Sequence, residues 1–154
     1  MAESSSTIVV GSDHAGFALK AEVIAAIRAA GYAVLDVGSH DPGPVDFPDI
    51  GRAVCAAILG GRAKRGVMVC GTGVGAAIAA NKVAGIRAAV CHDVHSAHQG
   101  VEHDDVNVMC IGAQIVGPWL ARDLLKAFLE AEFDATDDHR RRVAKLAELE
   151  KRGG

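Results

Sequence analysis

Short runs of β-branched and aliphatic residues alternate along the chain with Ala-rich stretches whose apolar positions recur at helical spacing. Residues 8–11 read as a strand. Residues 17–30 read as a helix with Leu19, Val23, Ile27 and Ala30 on one face, followed by Gly31 where helices commonly close. A second strand over 32–37 runs into the segment 38–48, which holds three of the four prolines and is expected to cross the surface as a loop. The helix 50–59 stops at Gly60 and Gly61. The strand 66–70 feeds directly into Gly71-Thr72-Gly73-Val74-Gly75 and a helix through Lys82. Strands are expected again over 86–90 and 107–111, separated by the His-rich stretch 91–105. A helix over 118–131 has Pro118 in its first turn, and a highly charged helix covers 138–152.

Strand and helix alternate over the whole length, which predicts a parallel sheet with helices on both faces. Right-handed crossovers make this an α/β fold, a Rossmann-like three-layer αβα sandwich with five parallel strands and an extra C-terminal helix. A chain of 154 residues without linker, repeat or low-complexity segment is expected to form a single domain over 1–154. The terminal helix has few large apolar residues, chiefly Val143, Leu146 and Leu149. So polar a helix gains its stability from packing, and it is expected to dock on a partner subunit.

Composition narrows the picture further. Half of the residues are hydrophobic but only 4% are aromatic, so Ala, Val, Ile and Leu must fill the core. The net charge is −3 and no basic run interrupts the chain before its C-terminal region, which argues against a nucleic-acid partner. The polar lead, residues 1–6, is expected to be flexible and lacks the parts of a signal peptide. No apolar stretch approaches a membrane span, and a cytoplasmic location is expected. The four cysteines (Cys55, Cys70, Cys91, Cys110) show neither CxxC nor metal-type spacing. Three of them sit inside apolar runs and read as small buried hydrophobes.

In open parallel sheets ligands bind beyond the carboxyl ends of the strands. There the chain places Ser12-Asp13-His14, then Cys70-Gly71-Thr72-Gly73-Val74-Gly75, then Cys91-His92-Asp93 leading to His95, His98 and His103. Gly71, Gly73 and Gly75 free the backbone to turn its N–H groups toward an anion at a helix N-terminus, although a tight strand–helix turn would use the same glycines. Cys70 ends its strand at the mouth of that loop, where N–H donors and the helix dipole favour a thiolate base over a core thiol. Asp13 and His14 read either as a hydrogen-bonded acid–base pair or as a polar cap on the first helix. His103 stands among Glu102, Asp104 and Asp105. His92, His95 and His98 drift round a helix at their spacing and make a poor metal site.

Three runs are more specific than any of these features alone. Gly11-Ser12-Asp13-His14-Ala15-Gly16-Phe17, Cys70-Gly71-Thr72-Gly73-Val74-Gly75 and the run from Ala79 to Ala88 keep the order and spacing of one family's signatures. From about residue 8 to 150 the chain resembles the type B ribose-5-phosphate isomerase and galactose-6-phosphate isomerase family.

The resemblance implies a dimer or tetramer with shared active sites, without cofactor or metal, acting on a sugar or sugar phosphate. It implies that Cys70 moves a proton between C2 and C1 through a cis-enediolate, with Thr72 assisting transfer between the oxygens. The N–H groups from Gly71 through Gly73 and Val74 to Gly75 would hold the enediolate, and Asn81 would support that loop. His103 of the other subunit would open the sugar ring, beside Asp104. Asp13 would hold hydroxyl groups, and His14 and Arg142 the phosphate. Three positions depart from the family pattern: Asp104 stands for Asn, Gln114 for Arg, and Asp138 for the Arg before His139. Two cationic phosphate partners are thereby missing, so ribose 5-phosphate competes with an unphosphorylated sugar as substrate. A non-catalytic phosphate- or nucleotide-binding module on the same fold and a thiol redox protein are the other readings.

Overall fold

The computed structural model describes residues 6–151, so most of the expected flexible lead lies outside the described residues. Five strands, β1 (Thr7–Ser12), β2 (Ala33–Asp36), β3 (Arg65–Cys70), β4 (Ala88–Val90) and β5 (Val108–Gly112), form one parallel sheet in the order β2-β1-β3-β5-β4. Six helices join and follow them: α1 (Phe17–Ala29), α2 (Phe47–Leu59), α3 (Val74–Asn81), α4 (Val94–Asp104), α5 (Pro118–Glu130) and α6 (Asp137–Lys151).

Strand alternation sorts the core into two layers. Ile8, Val10, Val67, Val69, Met109 and Ile111 point to the side covered by α1, α4 and α5, whose Leu19, Val101, Leu124 and Phe128 close it. Val9, Met68, Cys70, Val108 and Cys110 point to the side of α2 and α3, against Val54, Ala76 and Ala80. All six residues of β3 are buried, as a central strand covered on both faces requires.

The largest differences from the sequence reading lie in two helices. Helix α2 begins at Phe47 with Pro48 in its first turn, where a missing N–H costs nothing, so the loop is shorter than expected. The His-rich stretch contains a full helix, α4, opened by Asp93, whose carboxylate accepts from the Ser96 N–H at 2.7 Å. The terminal helix begins one residue earlier than expected, with Arg152 outside the described residues. None of its residues is buried.

The winding of the sheet reverses at β1: β2 lies on one flank of β1 and β3 on the other. Such a switch opens a crevice at the carboxyl ends of these two strands. Ser12-Asp13-His14 and Cys70-Gly71-Thr72 meet there.

Candidate active site

The crevice is held tight by glycines where side chains would not fit. A Cβ on Gly16 would lie 2.0 Å from the Val69 carbonyl oxygen, and one on Gly112 would lie 2.6 Å from that of Gly71. The start of α1 and the end of β5 therefore press directly on the backbone around Cys70. Gly73 adopts φ +80°, the left-handed conformation that turns β3 into α3.

Cys70 is 6% exposed, and its Sγ accepts a hydrogen bond from the Gly73 N–H at 3.0 Å. Thr72, exposed beside it, accepts from the Val74 N–H at 3.3 Å. Two of the loop donors expected to face a substrate are thus engaged within the loop. The Gly75 N–H belongs to the first turn of α3, where no helical partner exists, and it stays available to an anion. Gly71 carries the Gln114 side chain against it: a Cβ there would meet that amide at 3.2 Å, and the Gln114 N–H donates to the Gly71 carbonyl.

Asp13 and His14 serve separate neighbours. The buried Asp13 carboxylate accepts from the Gly16 N–H at 2.9 Å, capping the approach to α1, while His14 Nδ1 accepts from the Val45 N–H at 3.3 Å. His92 is likewise committed, its Nε2 accepting from the Gly112 N–H at 2.9 Å, which ties β5 to the segment after β4.

The other three thiols, Cys55, Cys91 and Cys110, are buried in the core. Burial raises the pKa of Cys55, and burial with Asp93 nearby pushes that of Cys91 up to about 11. Burial, then the neighbouring thiols, takes Cys110 higher still. These are core thiols, as expected from their apolar surroundings.

Not every expected site residue reaches the crevice. Asn81 closes the far end of α3, about 12 Å from the loop for eight residues at helical rise. Its amide pairs with Ala88 in both directions, Nδ2 to the carbonyl at 2.9 Å and the Ala88 N–H to Oδ1 at 2.8 Å. Asn81 therefore fixes the start of β4 and does not support the loop. His103 and Asp104 end α4, next to the Arg87–Asp105 ion pair ahead of β4, at the opposite edge of the sheet from Cys70. Arg142 is exposed on α6, 3.9 Å from Asp138. One set of residues thus meets at the carboxyl edge and a second at the amino edge.

The family model for ribose/galactose isomerase matches residues 8–146. The chain belongs to that family. Among its relatives, ribose-5-phosphate isomerase B of Escherichia coli is 40% identical over 145 residues, 94% of this chain and 97% of that one. D-erythrulose-4-phosphate isomerase of Pectobacterium atrosepticum is 40% identical over 131 residues, covering 83% and 85%. The structure of ribose-5-phosphate isomerase B from Clostridium thermocellum superposes with a TM-score of 0.93 at 44% identity, covering 96% of this chain and 99% of that one. This ribose/galactose isomerase family member is an aldose–ketose isomerase with the expected Rossmann-like fold. Among the described residues, no helix is long and apolar enough to cross a membrane.

Sequence reasoning gave Gln114 no place beside the loop and His139 no role of its own. Gln114 lies just past β5, a position the strand-end rule would have flagged. The ring of His139 stacks on that of His103 with centroids 4.4 Å apart, a contact that no local pattern announces.

Proposed function

We propose that this isomerase interconverts ribose 5-phosphate and ribulose 5-phosphate through a cis-enediolate, with Cys70 as the base. The observation that carries the reading is the position of Cys70 Sγ at the mouth of the glycine loop, accepting from the Gly73 N–H at 3.0 Å. The C2 hydrogen of an aldose is weakly acidic, so a base and an oxyanion site must act together. Cys70 takes that proton and returns it to C1. The Gly75 N–H stabilises the oxyanion, and the Thr72 hydroxyl relays the proton between O1 and O2. Asp13 and His14 line the sugar side of the crevice.

The chain works as a homo-oligomer with shared sites. His103 ends a helix of 11 residues that carries it to the edge of the sheet opposite Cys70, so a second copy must supply it. His103 of that copy protonates the ring oxygen and opens the furanose. α6, with no buried residue of its own, docks on the neighbour and brings Arg142 toward the phosphate.

Replacement of Cys70 by Ala or Ser is expected to lower kcat/KM about 10²–10⁴-fold, the usual contribution of a positioned base. Deuterium uptake from solvent into C1 and C2 of the sugar is expected to vanish with it. Unchanged turnover in either variant rules out the thiol as base.

One observation favours an unphosphorylated sugar instead. The segments beyond the five strands (12–16, 37–46, 70–75, 91–93 and 112–117) carry Asp13, Asp41, Asp46 and Asp93 but no Lys or Arg. On α6, Arg140 and Arg141 are paired with Asp137 and Asp138 at 3.0 and 2.8 Å. Comparison of kcat/KM for ribose 5-phosphate with free ribose, allose and psicose separates the two readings. Preference for the phosphate by orders of magnitude eliminates the second.

A further inference from the structure

His139 has no part in the chemistry just described, yet it is among the most firmly fixed side chains of the amino edge. Its ring lies on that of His103 with centroids 4.4 Å apart and planes 28° from parallel. Two bonds hold it there from its own side. The backbone N–H donates to Thr136 Oγ1 at 3.2 Å, and Nδ1 lies 2.7 Å from the Asp134 carbonyl oxygen. A carbonyl only accepts, so Nδ1 carries the hydrogen and the tautomer is set. The Asp134 N–H donates to the Glu102 carbonyl at 2.9 Å, which fastens the same segment to the turn of α4 that bears His103. The Phe133 ring stands on the outer flank, 6.4 Å away.

His103 itself has a looser setting. Its side chain is 40% exposed, and its Nε2 is 3.8 Å from a Glu102 carboxylate oxygen, beyond hydrogen-bond distance. An imidazole that must deliver a proton to a ring oxygen needs one orientation, because proton transfer tolerates little displacement. The flat face of His139 removes the largest part of that freedom.

We infer that His139 is a positioning residue, whose stacked and hydrogen-bonded ring holds His103 in the orientation that opens the sugar ring. The inference rests on the ring-opening role proposed for His103. It predicts a defect confined to the ring step, which ribulose 5-phosphate escapes when it only exchanges its C1 hydrogen through the enediolate. Ribose 5-phosphate is a furanose, whereas ribulose 5-phosphate stays open because the hydroxyl it would need for closure carries the phosphate.

The test measures kcat/KM for isomerisation of ribose 5-phosphate, and the rate at which ribulose 5-phosphate exchanges its C1 hydrogen for solvent deuterium, for the full-length chain and for His139→Ala, His139→Phe and His103→Ala, with melting temperature and oligomeric state recorded alongside. His139→Ala is expected to lose about tenfold or more in isomerisation while keeping deuterium exchange at C1 of ribulose 5-phosphate within about twofold. His139→Phe, which restores a flat ring without the anchor to Asp134, is expected to recover a large part of the loss. Equal losses in isomerisation and in exchange, or none in either, overturn the inference. A loss in His103→Ala that is equal for isomerisation and exchange overturns the ring-opening role itself, which is a separate failure from that of the stack.

Discussion

Cys91 is 2% exposed, and burial followed by the nearby Asp93 carboxylate pushes its pKa from 9.0 up to about 11. The folded chain therefore keeps a proton that the unfolded chain gives up from about pH 9. The stabilisation is whole below that value and is lost as the pH rises through 11, amounting to about 2–3 kcal/mol. Thermal unfolding followed against pH is expected to show a flat plateau to about pH 8.5 and a decline above it. Cys91→Ala is expected to reduce the slope of that decline. The same residue illustrates what a sequence can and cannot convey about a site. Four cysteines look alike as letters, and neighbouring glycines single out Cys70 because a strand end and a helix start are local matters. Asp13 was equally legible as a cap, since its partner Gly16 is three residues away. Asn81 was misplaced for the opposite reason: it follows the loop closely in sequence, but eight residues of helix carry it to the other edge of the sheet.

Elements follow the same logic. β3 was legible because a strand buried on both faces is apolar throughout, and α5 because Leu124, Leu125, Phe128 and Leu129 keep helical spacing. α4 was not, since only Ala97 and Val101 of its 11 residues are buried and no apolar stripe forms. Its start was written in Asp93 and Ser96, a cap that goes unnoticed without the stripe behind it. The end of α5 depends on a residue from elsewhere. Arg65, buried at the start of β3, donates from both guanidinium nitrogens at 2.8 Å to the carbonyls of Phe128 and Ala131. These carbonyls lie where a helix runs out of its own donors. Replacement of Arg65 by Met leaves both without partners and is expected to cost about 2–4 kcal/mol in urea unfolding. Arg65→Lys is expected to recover only part of this, because one ammonium cannot reproduce the planar fork.

On the scale of the whole molecule, the sheet works as a spacer. It holds Cys70 with its loop at one edge and His103 with its His139 support at the other. Two chains related by a two-fold axis, each with one edge against the opposite edge of the other, would bring unlike edges together twice, so every dimer would contain two sites, each composed of halves from different chains. Such an arrangement has a genetic signature. Cys70→Ala and His103→Ala chains, each inert as a pure preparation, are expected to rescue one another when unfolded together and refolded as a mixture. In the mixed dimer one site collects both lesions and the other collects neither. With random pairing about a quarter of the wild-type turnover is expected to return, against none if each chain carried a complete site. A sheet five strands wide would then have made the unit of inheritance and the unit of catalysis two different things.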